Sequence, residues 1–462
     1  MSRETGLQAL GRRPFGTRVF GLRLLYRAEF RRRLAVFTAA LAIAAYSVQA
    51  WRQLSGLGRE SLRWDFAQFH QAAADLAHGG DPYTAFLSAC PARHWCPGGY
   101  IFPPLLAEVL RPLAALPLVD AARIWLLLTH LLLLVAILVL WRALRDMVTT
   151  TGLALLLAAG LLFLPLYQSL YFLQVGVLLL LLLALAAAAQ MRGTRGRDTA
   201  AGAWLGLAAV LRVTPMLLAP AMARVEPDEA SGGRRRLRVD GGVAMALTGS
   251  GLLLLLLALT PSTARYFRDV LPRIGSGTGI LDNQSLPGLA ARAAELLGAS
   301  PPPASVLVPA LTLAFILPTW LLWQRALGAA ANAPRARALG FAGLLAAGPI
   351  VSSITWQHHL VSELLVYALL APALASAPAP ARWLAIASYP LMWADRHITD
   401  ALVVGLGLAN PTGARVLPFL ALTAANLIGM ICLWAACLLA LAGERVDHHA
   451  VPVVDGLERA IP

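Results

Sequence analysis

Lysine is absent from this chain, and charge of either sign is scarce. All 38 basic residues are arginine, and charged residues make up 13% of the sequence, whereas soluble globular proteins carry about 25%. Acidic residues number only 24 and cysteines only four. With 58% hydrophobic residues and a mean hydropathy of +0.67, the composition excludes an ordinary soluble domain and is typical of a membrane protein.

The alternation of apolar and polar residues that marks barrel strands is lacking too. Apolar runs such as 178–189 and 252–259 are continuous, whereas strands of a membrane barrel alternate with a period of two. Helices and closed barrels are the only structures that satisfy their backbone hydrogen bonds in lipid. The sequence therefore predicts an all-α polytopic membrane protein, with roughly 10–12 transmembrane helices judged from segment length.

The net charge of +14 is distributed in a way that argues against a nucleic-acid partner. Arginines cluster between the apolar segments, nine of them in residues 1–33, which is the positive-inside pattern of cytoplasmic segments. We predict a cytoplasmic N-terminal segment (1–33), a transmembrane domain (34–442) and a cytoplasmic tail (443–462) in a bacterial plasma membrane. Residues 51–119 and 261–304 are then extracytoplasmic.

Residues 199–223 lie between two arginine clusters, 192–197 and 224–238, that a single crossing would put on opposite sides. Arg212 to Pro215 interrupt this segment. Two half-helices that enter and leave on one side resolve the conflict, and such broken helices occur where they line a cavity. An arginine at membrane depth is costly, so Arg212 either binds a lipid phosphate or extends to the cytoplasmic interface.

The first long polar interruption, 64–104, begins with the pattern of an amphipathic helix lying in the membrane plane. On a helix that starts near Asp65, the residues Phe66, Phe69 and Leu76 belong to an apolar face. Asp65 falls at the edge of this face, where partial desolvation makes a carboxylate more basic and suits it to proton abstraction. The alternative is that Asp65 only caps the helix.

Two other groups are open to two interpretations each, and a pair of cysteines is open to one. Tyr100, in Tyr-Ile-Phe-Pro-Pro, fits an aromatic belt or a substrate contact. His358 and His359 are about 100° apart on a helix and cannot reach one metal from the same face, so they form an interfacial polar cluster or one of them faces a cavity as a donor. Cys90 and Cys96 are candidates for a disulfide in an oxidising compartment, and no Cys/His spacing resembles a zinc site.

Together these segments resemble glycosyltransferase family 87, the polyprenol-phosphate-mannose-dependent mannosyltransferases with the GT-C membrane fold. The resemblance extends from about Asp65 to His359 and rests on motifs in a fixed order. They are Asp65-Phe66, Phe69-His70, Gly79-Gly80-Asp81-Pro82-Tyr83, Tyr100-Ile101-Phe102-Pro103-Pro104, Gln174-Val175-Gly176, Arg212-Val213-Thr214-Pro215, Asn283-Gln284-Ser285 and Trp356-Gln357-His358-His359.

The resemblance implies an inverting membrane enzyme that transfers a hexose, mannose in α-1,2 linkage, from a polyprenyl-phosphate sugar to a glycolipid or lipoglycan acceptor at the outer face. Asp65 is then the general base, and His358 and His359 are further catalytic groups. The implied substrate-binding residues are Tyr83, Tyr100, Gln174, Arg212, Asn283, Gln284 and Trp356. Arginine and histidine can match a single phosphate, so we expect no metal and no other cofactor.

Two other functions fit part of the sequence. One is a GT-C enzyme that uses another polyprenyl-phosphate sugar, such as arabinofuranose. The other is a lipid or sugar transporter (a flippase), which the broken helix at Arg212 favours because discontinuous helices mark transporter sites. A transporter would leave its substrate covalently unchanged.

Overall fold

The computed structural model of the chain describes residues 15–57, 64–90, 98–228, 234–329 and 333–444. Helices dominate all five ranges. The first ten are α1 (Phe15–Gly56), α2 (Trp64–Ala77), α3 (Thr84–Ala89), α4 (Pro104–Ala114), α5 (Leu118–Leu144), α6 (Thr150–Leu162), α7 (Leu164–Tyr171), α8 (Gly176–Arg192), α9 (Arg195–Leu211) and α10 (Asp240–Leu259).

The other ten helices follow after residue 260. They are α11 (Ser262–Arg265), α12 (Leu271–Gly275), α13 (Leu286–Leu296), α14 (Ala304–Ala329), α15 (Ala333–Val351), α16 (Glu363–Leu374), α17 (Ala379–Leu391), α18 (Arg396–Gly405), α19 (Val416–Thr423) and α20 (Ala425–Gly443). Three 3₁₀ helices (Thr214–Met222, Gln357–Ser362, Gly413–Arg415), a π-helical turn (Tyr266–Val270) and an antiparallel hairpin of β1 (Arg224–Asp228) and β2 (Arg234–Arg238) complete the described elements.

Five helices are long and apolar enough to cross a membrane: residues 29–56 of α1, then α5, α10, residues 304–328 of α14, and α20. The pair α6 and α7, bent by 44° at Phe163, adds a sixth span if it is counted as one. The prediction of an all-α polytopic membrane protein is confirmed. The predicted total of 10–12 crossings also counted shorter apolar segments, among them α8, α16 and α17.

The centre of the bundle is formed by α8 and α15, which are apolar on all sides and buried along nearly their whole length. A helix that is hydrophobic all round belongs in the interior. By contrast, α10 and α14 keep many large apolar side chains exposed, as helices that face lipid should. The central pair therefore provides a rigid frame beside which the polar segments are held.

Residues 195–222 enter and leave the bundle at one end, as predicted. α9 begins beside the start of α10, where Arg195 Nε donates to Asp240 Oδ1 at 3.0 Å. It ends at Leu211, after which the backbone of Arg212 is extended. The following 3₁₀ helix runs back until Met222 lies against Gly241, near the start of α10. Arg212 thus occupies the tip of a re-entrant segment.

Glycines allow α9 to run very close to α10. A Cβ atom on Gly202 would lie 1.9 Å from the carbonyl oxygen of Gly241, and one on Gly206 would lie 2.7 Å from that of Met245. Small residues at such crossings are a general device of membrane helices, because packing rather than hydrophobic burial drives their association. This contact supports the re-entrant segment from the side.

Replacing Gly202 by alanine should therefore destabilise the protein in detergent by about 1–3 kcal/mol, the usual range for overpacking, because the neighbouring atom is backbone and cannot rotate away. Gly160→Ala in α6 is the matched control, since a Cβ there meets nothing within 4 Å. Thermal unfolding of both variants tests this. Equal melting temperatures would contradict the close packing of α9 on α10.

The amphipathic helix expected from Asp65 is present as α2. Phe66 and Phe69 are buried, whereas Gln71 is exposed. α2 packs on α4 and, with the segments around Tyr83 and Tyr100, forms a cap at the end of the bundle opposite the β1–β2 hairpin. We call this cap the ceiling (residues 64–90 and 98–114).

Some predictions concern residues outside the described ranges. These are positions 1–14 of the N-terminal segment and 445–462 of the tail. Cys90 is buried and disulfide-bonded, and Cys432 and Cys437 are free thiols. Cys96, the partner predicted for Cys90, lies outside the described residues.

Candidate active site

A cavity of about 1060 Å³ lies directly below the ceiling. Its walls come from α2, from the break between α7 and α8, from the tip of the re-entrant segment, and from the segments that precede α13 and α16. The polar residues lining it include Asp65, Gln68, Gln174, Arg212, Tyr266, Gln284, Trp356, Gln357, His358 and His359. Sequence positions nearly 300 residues apart therefore meet in one space.

Asp65 lies in the first turn of α2 and faces this cavity. Gln174 Nε2 donates to its Oδ2 at 2.7 Å. Burial raises the pKa of the Asp65 carboxyl above its ordinary value, and the hydrogen bond from Gln174 partly offsets the rise. Among the described residues, the hydrogen bond of the carboxylate is thus to a distant side chain and not to a backbone amide of α2, so the geometry does not require Asp65 to act as a cap.

Gln174 is held by a strained turn between α7 and α8. Leu173 has φ of 53°, a left-handed conformation that costs a bulky L-residue about 1–2 kcal/mol. Trp125 Nε1 donates to the Leu173 carbonyl oxygen at 2.8 Å, and the Gln174 backbone N–H donates to Ser169 O at 2.9 Å. These bonds fix the turn that aims Gln174 at Asp65.

The last position of the Gln-Val-Gly motif, Gly176, requires glycine for steric reasons. A Cβ there would lie 2.7 Å from both Ser169 Oγ and Val361 Cγ1, so only glycine lets the start of α8 approach the 3₁₀ helix that carries the two histidines. The motif thus joins the partner of Asp65 to the histidine segment. Its sequence spacing alone gives no sign of this second contact.

His358 and His359 both line the cavity. His359 Nδ1 accepts the Trp356 backbone N–H at 3.1 Å, so in the neutral ring the proton is on Nε2, which can donate. The two rings meet edge to face with centroids 4.5 Å apart, and Phe172 packs 5.5 Å from the His358 ring. Both histidines are therefore available to a ligand.

Arg212 faces the cavity from the tip of the re-entrant segment. Its guanidinium carbon lies 6.0 Å from the centre of the Phe102 ring, and it forms no hydrogen bond or ion pair with any residue that the structure describes. Arg195, at the other end of α9, is the residue close to the hairpin. Extension of Arg212 to the cytoplasmic interface does not agree with this placement.

Three residues expected to bind substrate do not line the cavity. The Tyr83 hydroxyl donates to Phe102 O at 2.9 Å, and the Tyr100 hydroxyl donates to Pro103 O at 2.7 Å. Both tyrosines are buried in the ceiling, where burial raises the pKa of each hydroxyl and keeps it neutral. Asn283 donates to Ser353 O at 3.0 Å and accepts the Thr355 N–H at 2.9 Å. These bonds stabilise the walls of the site.

Gln284 and Trp356, in contrast, line the cavity. The Gln284 backbone N–H donates to Thr355 O at 2.7 Å, and its buried side-chain oxygen has no partner among the described residues. The side-chain oxygen of Gln174 is unpaired in the same sense. Both residues line the cavity, but these two oxygens are themselves buried and do not face it.

Sequence reasoning missed several residues of the site. Trp125 sits in an unremarkable apolar helix, and Tyr266 lies in a short segment without a recognised motif. Arg396 and Asp282 also line the cavity at a more exposed position and pair at 2.7 Å. Within the described ranges, no group of three or more His, Cys, Asp and Glu is placed to hold a metal ion.

Comparisons with known proteins add the following. A family model described as glycosyltransferase family 87 matches residues 100–353, and no curated protein matches the chain significantly. The chain is similar to the crystal structure of ArnT from Cupriavidus metallidurans bound to undecaprenyl phosphate, with 16% identity, coverage of 87% of this chain and 76% of that chain, and a TM-score of 0.40. The apo state of ArnT matches with 15% identity, the same coverage and a TM-score of 0.37.

Proposed function

The chain belongs to glycosyltransferase family 87, and we propose that it transfers a hexose, mannose in α-1,2 linkage, from a polyprenyl-phosphate sugar to a lipid-linked glycan. The helical membrane architecture agrees with the GT-C class that the resemblance implied. The observation that carries the proposal is a single cavity lined by a desolvated carboxylate, Asp65, and by Arg212, whose guanidinium has no hydrogen-bond or ion-pair partner among the described residues. These are the two charges that such a transfer requires.

The reaction begins at Asp65. Its carboxylate accepts the proton of an acceptor hydroxyl while that oxygen forms a bond to the anomeric carbon of the donor sugar. The bond from this carbon to the phosphate oxygen breaks at the same time, through an oxocarbenium-like transition state, and the polyprenyl phosphate leaves with the bonding electron pair. A single displacement inverts the anomeric configuration.

The leaving phosphate gains negative charge, which the cavity must stabilise. Preorganised donors aimed at developing charge are the usual means. The Arg212 guanidinium can bind phosphate through two parallel hydrogen bonds, and His359 presents an Nε2 donor. Arginine and histidine supply these contacts from the protein itself, so we expect transfer to continue in the presence of a chelator.

The membrane orientation is part of the same proposal. We place the ceiling and the cavity on the extracytoplasmic side of a bacterial plasma membrane, and the β1–β2 hairpin and both termini in the cytoplasm. Arginines at the hairpin end, such as Arg192, Arg195 and Arg238, support this orientation. The lipid-linked donor and acceptor would then both approach from the outer leaflet.

The proposal is tested by incubating membranes that contain the protein with radiolabelled polyprenyl-phosphate mannose, bacterial lipid extract and EDTA. We expect label to move to a new glycolipid. Transfer from the arabinofuranose donor and not from the mannose donor would show that the protein uses a different polyprenyl-phosphate sugar. Movement of either lipid between leaflets without any change in covalent structure would instead identify a transporter.

The pH dependence of transfer should report the pair of Asp65 and Gln174. Because burial raises the pKa of Asp65, the rate should fall on acidification at a higher pH than an ordinary aspartate would give. Gln174→Leu removes the hydrogen bond that opposes this rise, so the acidic limb should move to still higher pH. At a pH on that limb, we expect the variant to be roughly tenfold slower, the effect of about 1.4 kcal/mol.

A pH–rate profile of kcat for wild type and Gln174→Leu measures this shift. Gln190→Leu is a control, because Gln190 Nε2 bonds to a backbone oxygen far from the cavity lining, that of Ala221. That variant should keep the wild-type midpoint even if it is less stable. A Gln174→Leu profile that coincides with wild type would show that Asp65 is not the titrating base.

A further inference from the structure

Tyr266 is a cavity-lining residue that no sequence motif includes. Its side chain is only 2% exposed, and its hydroxyl forms no hydrogen bond with any residue in the described part of the chain. The side chain lies close enough to Arg212 for the two to interact electrostatically. The residue as a whole is buried, but its hydroxyl oxygen is open to the cavity that it lines, so the hydroxyl can bond to a ligand there.

The backbone around Tyr266 is unusual. Residues Tyr266–Val270 form a π-helical turn, a rare conformation that is frequent at functional sites. The turn follows directly after α11, at the end of the bundle that carries the ceiling. Burial raises the pKa of the Tyr266 hydroxyl, so the group keeps its proton and can act as a hydrogen-bond donor.

The ceiling holds this turn in place through the Gly-Gly-Asp-Pro-Tyr motif. Arg265, next to Tyr266, forms an ion pair with Asp81. Asp81 Oδ1 also accepts the Tyr83 backbone N–H at 3.0 Å, and the Tyr83 ring packs 5.8 Å from the Tyr266 ring. None of the residues of this motif lines the cavity, yet the side chains of Asp81 and Tyr83 contact the segment that does.

We propose that Tyr266 donates its hydroxyl hydrogen to the phosphate of the lipid-linked donor beside Arg212, and that Asp81 and Tyr83 are its positioning residues. The inference rests on the proposed function, since the ligand is the phosphate of that donor. Two donors from separate elements, one charged and one neutral, then meet the oxygen that gains charge when the sugar leaves. The Gly79–Tyr83 motif then has a role in positioning Tyr266, of which its sequence spacing gives no sign.

Tyr266→Phe removes one oxygen atom and keeps the ring packing. We expect the affinity of the purified protein for a synthetic polyprenyl phosphate to fall by about 10- to 100-fold, the range for hydrogen bonds to charged groups. Binding of the corresponding polyprenol, which lacks the phosphate, should not change. In the transfer assay, kcat/KM for the donor should fall by a similar factor while KM for the acceptor stays the same.

Tyr389→Phe is the matched control, since its hydroxyl bonds to the Ala159 carbonyl oxygen and does not line the cavity. It should bind the lipid phosphate as wild type does. If Tyr266→Phe kept its affinity for the phosphate while Arg212→Met lost it, the proposed role of Tyr266 would be wrong and the proposed function would stand. Wild-type protein that binds polyprenyl phosphate no better than polyprenol would overturn the proposed function as well.

The positioning role has its own test. Asp81→Asn breaks the ion pair with Arg265 and should weaken phosphate binding about two- to fivefold, the scale of a partly exposed ion pair. If Asp81 acts through Tyr266, the same substitution should have no further effect in the Tyr266→Phe background. Equal losses in both backgrounds would show that Asp81 only stabilises the ceiling.

Discussion

Replacing Asp65 by asparagine should lower kcat for sugar transfer by about 100- to 10,000-fold, the usual contribution of a positioned general base. Asparagine has the same shape and can still accept the hydrogen bond from Gln174 Nε2, but it cannot take up the acceptor proton. KM for the donor should change little, because the phosphate is held by other residues. The effect is measured by steady-state transfer kinetics at saturating donor.

The melting temperature of the variant distinguishes a catalytic role of Asp65 from a structural one. The Asp65 carboxylate is desolvated and accepts a hydrogen bond from Gln174, so a neutral amide at this position should leave the melting temperature unchanged or slightly higher. Asp75→Asn is the control on the same helix, since Asp75 accepts from Gln71 at 2.8 Å away from the cavity lining. A fully active Asp65→Asn enzyme would exclude Asp65 as the base.

Charge placement was the part of the sequence that predicted the fold best. The arginine clusters on both sides of 199–223 required a segment that returns to its own side, and the structure has α9 and its 3₁₀ partner in that arrangement. Such a prediction works because moving an arginine through lipid is costly for any tertiary structure. The amphipathic helix α2 could also be predicted from the sequence, because the local spacing of its apolar residues defines its apolar face.

The contacts between side chains inside the site were harder to predict from the sequence. Gln174 came from the family resemblance, and Arg212 came from the interruption of the segment between two arginine clusters. Only the structure shows that Gln174 bonds to Asp65 and that the Arg212 guanidinium has no hydrogen-bond partner among the described residues. Trp125 and Tyr266 were missed because their roles depend on residues far away in the sequence. Trp125 bonds to Leu173, 48 residues further along, and Tyr266 interacts with Arg212, more than 50 residues before it. Hydropathy patterns carry no information about such contacts.

Motif membership also proved a poor guide to which side chains face the cavity. Tyr83, Tyr100 and Asn283 occur in the motifs, yet their polar atoms bond to backbone groups of Phe102, Pro103 and Ser353. In a membrane protein, a loop buried near the site must satisfy its backbone groups internally. Part of each motif is therefore used to hold the loop, and sequence alone does not tell that part from the residues that contact a ligand.

Arg212→Met should lower kcat by about 100- to 1,000-fold, comparable with the loss of one donor to developing negative charge, and should also weaken binding of polyprenyl phosphate. Arg212→Lys should recover only part of the activity, because an ammonium group keeps the charge but lacks the planar fork that binds two phosphate oxygens. Both variants should fold normally, because the guanidinium has no partner among the described residues that would be left unpaired.

Arg292→Met provides the contrast that makes this result specific. Arg292 is also buried, but it donates to the carbonyl oxygens of Gly279, Ile280 and Asn283 at 2.9–3.1 Å and to Thr423 Oγ1 at 3.1 Å. Its loss leaves several buried acceptors without donors, so it should lower the melting temperature and the yield of folded protein. The folded fraction should keep its affinity for polyprenyl phosphate. If Arg212→Met instead behaved like Arg292→Met, unfolding without a selective loss of phosphate binding, Arg212 would be a structural arginine and the phosphate site would have to lie elsewhere.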